Sequence, residues 1–398
     1  MKTFINAKLV LVDSIILHGY LKEDHGKIVS FGHMDDCIIE GNAIDCEEKY
    51  LAPGFIDIHS HGGGGFDYMD GTVQDIVGAA RAHLHYGTTS VLPTTMTSND
   101  EDLFRTISSF KEACKVTTDM PNLLGLHLEG PYFSKLELGA QSNNHILNPS
   151  PEHYMKVMEH ADGCIKRWSF APELPGALEM ADRLAPMGVA LAAGHTAATY
   201  DQMKEAFDHG VHHLTHFYSG MSTIVRKDGF RVLGVVESGY LIDGLTVELI
   251  ADGLHLPPSL LRMILKCKSH DEICLCTDSM RGAGMPEGPY ILGPYKGGQE
   301  VIVEDGIAKM PDRASFAGSV ATSDLLVRVM VYEAGLSIWE AVKMISINAA
   351  KIIGCDSSKG SIHVGKDADL VVFDDSISIS SVYVNGIKCA FNETQSSI

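Results

Sequence analysis

Eight short apolar runs recur along the chain, at residues 54–59, 90–94, 123–129, 165–170, 189–195, 212–217, 247–252 and 273–278, amid stretches of helical periodicity such as 324–331. Strands buried on both faces read as near-continuous apolar stretches rather than as alternating ones. Eight of them interleaved with helices predict an α/β fold, a (β/α)8 TIM-like barrel. At 398 residues the chain exceeds the size at which one core usually stops growing, so a smaller appended unit is expected. Its source is the two ends. Residues 1–50 hold period-two apolar runs such as 7–12, and the C-terminal segment reads strand, turn, strand at 365–374 and 381–386. The expected organisation is a small β-sandwich domain formed by both termini, 1–50 plus 360–398, beside a barrel over 51–359.

Run after run ends in a potential ligand or catalyst: His59 and His61, then Glu129, His195, His216, His255 just beyond the seventh run, and Asp278. A barrel of this kind builds its active site at the C-terminal edge of its strands. His59 and His61 stand two apart, so on a strand both imidazoles face the same way and reach one metal. Taken alone, an HxH pair fits two hydrogen-bonded histidines equally well. Glu129 ends an apolar strand, where an unpaired charge is costly to bury, and so requires a cation unless it merely caps a turn. His127 reads as barrel filling. Imidazole and carboxylate together are the ligand types of zinc or another borderline divalent ion. Asp278, on the last strand, suits both base and ligand, with a helix N-cap as the plainer alternative.

The formal charge of −20, from 31 Lys+Arg against 51 Asp+Glu, repels a phosphate backbone and argues against nucleic-acid partners. An anionic small molecule remains compatible, because a few cations or a metal reverse the potential inside one cleft. Nine cysteines, an odd count with no CxxC, read as reduced thiols. The N-terminus lacks an export signal, and no apolar run is long enough to span a membrane. A cytoplasmic location is the expectation.

The segments PGFIDIHSHG (53–62), HLEGP (127–131), GHT (194–196), THF (215–217), ADGLH (251–255) and TDSM (277–280) resemble the amidohydrolase superfamily and, within it, the N-acetylglucosamine-6-phosphate deacetylase family. The resemblance runs over essentially the whole chain. It implies that Glu129, His195 and His216 hold one divalent ion, and that His59 and His61 help hold a second, with Asp278 at the same centre. One or two ions per subunit are implied, zinc first, with iron, manganese or others as alternatives. Many amidohydrolases use a carboxylated lysine on strand four, but residues 168–172 contain none. The implied reaction is hydrolysis of the N-acetyl group of N-acetylglucosamine-6-phosphate to glucosamine-6-phosphate and acetate. Asp278 would move the water proton, and His255 would stabilise the oxyanion or else orient sugar hydroxyls.

The implied substrate-binding residues are Gln141, Ser219, Gly220, His255, Ala317 and Gly318, plus an arginine for the phosphate. One departure stands out. Where the family usually reads Asn-Ala-Met, this chain has Ser219-Gly220-Met221, followed by a longer basic stretch with Arg226, Lys227 and Arg231. Arg231 has the spacing of the family's phosphate arginine, Arg226 is its rival, and solvated surface charge is the plainer reading of both. Because the family often takes that arginine from a neighbouring subunit, a homodimer is expected. The altered loop leaves the sugar epimer open, N-acetylgalactosamine-6-phosphate or another amide being the alternative. A non-catalytic binding module is disfavoured because every expected ligand is present.

Overall fold

The computed structural model describes residues 1–390; the last eight residues of the C-terminal unit expected over 360–398 lie outside the described residues. Eight parallel strands form the central sheet: β1 (Phe55–Ser60), β2 (Thr88–Thr95), β3 (Leu126–Glu129), β4 (Ile165–Phe170), β5 (Ala190–Ala193), β6 (Val211–Leu214), β7 (Thr246–Leu249) and β8 (Ile273–Leu275). Each pairs with the next in sequence order. Closure between β8 and β1 comes from residues just beyond β8, where the Asp278 N–H donates to His59 O at 2.9 Å and Ser279 bridges Ser60. The sheet is a nearly closed (β/α)8 barrel.

Helices Val73–Leu84, Asp100–Ala113, Pro151–Ala161, Ala177–Leu184, Tyr200–Asp208, Val235–Leu241, Pro258–Cys267 and Ser323–Tyr332 follow the eight strands in turn. The strands alternate sides as a pleat requires. Leu126, Leu128, Trp168 and Phe170 join the apolar layer beneath the helices. Their neighbours His127, Glu129, Arg167 and Ser169 are buried on the barrel side, where His127 pairs with Ser169 Oγ at 2.7 Å. The capping box Thr199/Gln202 starts the helix that follows β5, fixing the short turn that carries His195.

Both termini contribute to one eight-stranded sheet, in which Leu370–Phe373 lies antiparallel to Tyr50–Pro53, and Tyr50–Pro53 in turn pairs with Lys2–Val10. Phe4, Leu9, Leu21, Leu51, Leu370 and Tyr383 form its core. Two smaller sheets rise from the barrel mouth: the hairpin Val225–Lys227 with Phe230–Val232, and the three strands Gly288–Leu292, Gln299–Glu304 and Ile307–Lys309 between β8 and its helix. Among the described residues no helix is long and apolar enough to cross a membrane.

Candidate metal centre

Five strand ends deliver polar side chains to one point at the C-terminal mouth. Glu129 Oε1 lies 3.2 Å from His195 Nε2 and 3.1 Å from His216 Nε2, and those two nitrogens are 3.1 Å apart. Glu129 Oε2 lies 3.3 Å from His61 Nε2. On the same side His59 Nε2 and His61 Nε2 are 3.3 Å apart, with Asp278 Oδ1 at 3.3 and 3.2 Å from them. All six side chains are buried or nearly so.

His195 Nδ1 sits 2.9 Å from the Glu137 carbonyl oxygen, which only accepts, so Nδ1 carries a proton, and a ring with that single proton turns a lone pair toward Glu129. His59 does the same, with Nδ1 2.7 Å from Glu248 Oε1. Lone pairs converging on a carboxylate repel unless they share a cation. Ligand bonds of about 2.0–2.1 Å in a tetrahedron put donor atoms roughly 3.3 Å apart, which is the spacing found. The donor set fits a divalent ion in two overlapping groups, His59/His61/Glu129 and Glu129/His195/His216.

Burial alone would push the carboxyls of Glu129 and Asp278 up. In their protonated form the surrounding imidazoles, His59 foremost, outweigh it, holding Glu129 well below the usual carboxylate range and Asp278 below its ordinary value; a bound cation would supply the same positive charge to neutral rings. His127, in the same interior, is kept well below the usual histidine range by burial and by Arg167, and is therefore neutral.

The backbone at these positions is unusual. His195, His216 and Asp278 have φ of 46°, 33° and 48°, in the left-handed region that non-glycine residues rarely adopt. Strain of this kind, on the order of 1–3 kcal/mol each, collects at functional sites. Gly220, at φ 55°, meets the same demand more cheaply, and a Cβ there would lie 2.9 Å from His195 Nδ1.

The centre floors a cavity of about 760 Å3 including its open mouth, lined among others by Gln141, Ser219, Gly220, His255, Phe316 and Gly318. Gln141 does more than line it: its amide donates to Glu129 Oε2 at 2.7 Å and accepts from Thr97 N at 3.0 Å. His255 is steadied by Asp252, 2.7 Å from Nδ1. Ala317 is fully buried behind the wall, and Arg226 and Arg231 face one another across the exposed hairpin, away from the lining. Three contributors carried no signal in the sequence. Glu173 accepts from Thr196 Oγ1 and from Ala197 N at 2.7 Å, pinning the turn after His195. Glu248 and Arg167 form an ion pair inside the barrel.

The amidohydrolase family model matches residues 50–396. The chain belongs to the amidohydrolase family. A N-acetylglucosamine-6-phosphate deacetylase of Lysinibacillus sphaericus is 36% identical over 82% of either chain. A N-acetylgalactosamine-6-phosphate deacetylase of Escherichia coli is 31% identical over 87% of this chain and 89% of its own. Among solved structures, N-acetylglucosamine-6-phosphate deacetylase from Pasteurella multocida superposes with a TM-score of 0.90 at 29% identity, covering 98% of this chain and 100% of the other. The enzyme from Mycobacterium smegmatis, solved as a mutant with N-acetyl-D-glucosamine-6-phosphate, gives 0.89 at 29% identity over 97% and 98%. The family membership agrees with what the six sequence segments imply.

Proposed function

We propose that the chain is a metal-dependent deacetylase that hydrolyses the N-acetyl group of N-acetylglucosamine-6-phosphate, giving glucosamine-6-phosphate and acetate. The observation that carries this reading is the six-residue donor cluster on the floor of a cavity large enough for a sugar phosphate. Glu129, His195 and His216 would hold one ion, and His59 and His61 would help hold a second together with Glu129 and Asp278, with zinc the first candidate and iron or manganese next. Residues 51–359 form the catalytic domain in this reading, and 1–50 with 360–398 the appended one. Nine unpaired cysteines support a cytoplasmic enzyme.

What the ion supplies when bound is a water acidified to a pKa of about 7 and an electrophile for the amide oxygen. The protein does the rest. Asp278 accepts a proton of the attacking water and hands it to the departing nitrogen as the C–N bond breaks; the water's other proton passes from the new carboxyl group to the amine, so acetate and the ammonium form of the amino sugar leave in balance. His255, its Nδ1–H donated to Asp252, would stabilise the oxygen that gains charge when doubly protonated, through its Nε2–H, and with a single proton would instead accept from a sugar hydroxyl. Ser219, Gly220 and Gly318 flank the sugar.

Among the described residues lining the cavity there is no lysine or arginine. The exposed hairpin carries Arg226 and Arg231 beside exposed Val225 and Phe230. This supports a homodimer in which an arginine of one hairpin, Arg231 ahead of Arg226, meets the phosphate bound by its neighbour. Sedimentation at working concentration should give a dimer mass, and Arg231→Ala should raise KM roughly 10–100-fold, as loss of a charge-assisted contact would. A monomer with an unaltered KM would remove the arm from the site.

A second reading is favoured by the Escherichia coli relative and by Ser219-Gly220 in place of bulkier Asn-Ala: the sugar is N-acetylgalactosamine-6-phosphate. Acetate release from both sugar phosphates and from unphosphorylated N-acetylglucosamine separates the cases. We expect N-acetylglucosamine-6-phosphate to give the highest kcat/KM. A higher value for the galacto epimer selects the second reading, and no release from either phosphate rejects both.

A further inference from the structure

Four imidazoles turn Nε2 toward the centre, but their other nitrogens are held differently. His61 Nδ1 and His216 Nδ1 are buried without a hydrogen-bond partner. His195 Nδ1 has the Glu137 carbonyl. His59 Nδ1 has the carboxylate of Glu248 at 2.7 Å, and the same oxygen accepts the backbone N–H of His216 at 3.0 Å. The other oxygen of Glu248 pairs with Arg167, whose guanidinium also donates to Ile58 O at 3.0 Å and Thr215 Oγ1 at 3.1 Å. His59, Glu248 and Arg167 are all fully buried.

Barrel interiors are normally filled by branched apolar side chains, and a buried ion pair adds little stability over such a filling. The consequence of this pair lies in what it touches. A carboxylate that accepts from a ligating imidazole fixes the tautomer, orients the ring and strengthens it as a donor. Each proposed ion therefore has one oriented imidazole, His59 through a charged partner and His195 through a neutral one.

We propose that Glu248, charge-balanced by Arg167, is the positioning residue for the ion at His59 and His61, and that the ion at Glu129, His195 and His216 does not depend on its charge. This rests on the two-ion reading above. Glu248→Gln keeps an acceptor oxygen for His59 Nδ1 and His216 N, removes the charge, and turns an NH2 that cannot accept toward the Arg167 guanidinium. The double variant Arg167→Met/Glu248→Gln also leaves no unpaired guanidinium inside the barrel, so an effect that persists in it is not the cost of a stranded cation.

The test is calorimetric titration of metal-stripped protein with Zn2+, for wild type and both variants, with thermal melts of the stripped proteins alongside. Wild type should bind two equivalents. In both variants one dissociation constant should be unchanged and the other raised about 10–100-fold, with acetate release recovering as Zn2+ is increased. Two wild-type affinities in the double variant would overturn the proposal and leave the two-ion reading standing, as would equal weakening of both ions. A wild type that binds a single equivalent would overturn both.

Discussion

Asp278→Asn should lower kcat for acetate release by about 10²–10⁴-fold, the usual contribution of a positioned general base. The substitution suits the site. Asparagine tolerates the left-handed backbone that position 278 requires, at φ 48°, and fills the same volume. It keeps one oxygen for the centre and for the approach to His59 and His61 but cannot take a proton from water. KM should change little, because no sugar contact is removed. Metal content, measured on the same preparation, separates a lost base from a lost ion. A variant with full metal and kcat within tenfold of wild type would take Asp278 out of the proton path.

The barrel was legible because its strands are buried on both faces, which leaves a run of apolar residues with no polar alternation to confuse. The run at 165–170 coincides with β4, and that at 54–59 is offset by one residue from β1. The later runs, 189–195 and 212–217, overshoot β5 (Ala190–Ala193) and β6 (Val211–Leu214). The reason is physical: His195 and His216 stand past the strand ends in left-handed turns, a conformation no hydropathy pattern encodes. The imidazoles of His59 and His61 do converge, as their i, i+2 spacing predicts, although β1 already ends at Ser60.

What stayed hidden was support rather than chemistry. Glu248 and Arg167 sit inside runs that read as strand, and only the closed barrel, which sets β4 near β7 across its interior, reveals them as partners. Gln141 was expected to meet the substrate; it lines the cavity, and its hydrogen bonds go to Glu129 and Thr97. The three-stranded sheet after β8 went unanticipated. Its Leu292, Val301 and Val303 are tied to the mouth through Met69, Met96 and Met280, contacts between distant segments that no local pattern announces.

Glu129→Gln should abolish acetate release and metal retention together, because Glu129 is the one side chain common to both donor groups. Its Oε1 faces His195 and His216 while Oε2 faces His61, so an amide at this position must turn an N–H toward a ring lone pair or leave one side without an anion. The fold should survive, since the change is isosteric. Binding then registers as stability. An ion present at about 1,000 times its dissociation constant stabilises a protein by about 4 kcal/mol, provided the unfolded chain does not bind it. Wild type should therefore melt at a higher temperature with Zn2+ than after treatment with a chelator, and Glu129→Gln should melt at one temperature in both conditions. If the variant keeps its ions, or wild-type Tm is indifferent to chelation, the lone pairs that converge on Glu129 are not metal ligands. The buried imidazoles would then have to be protonated partners of a purely structural carboxylate.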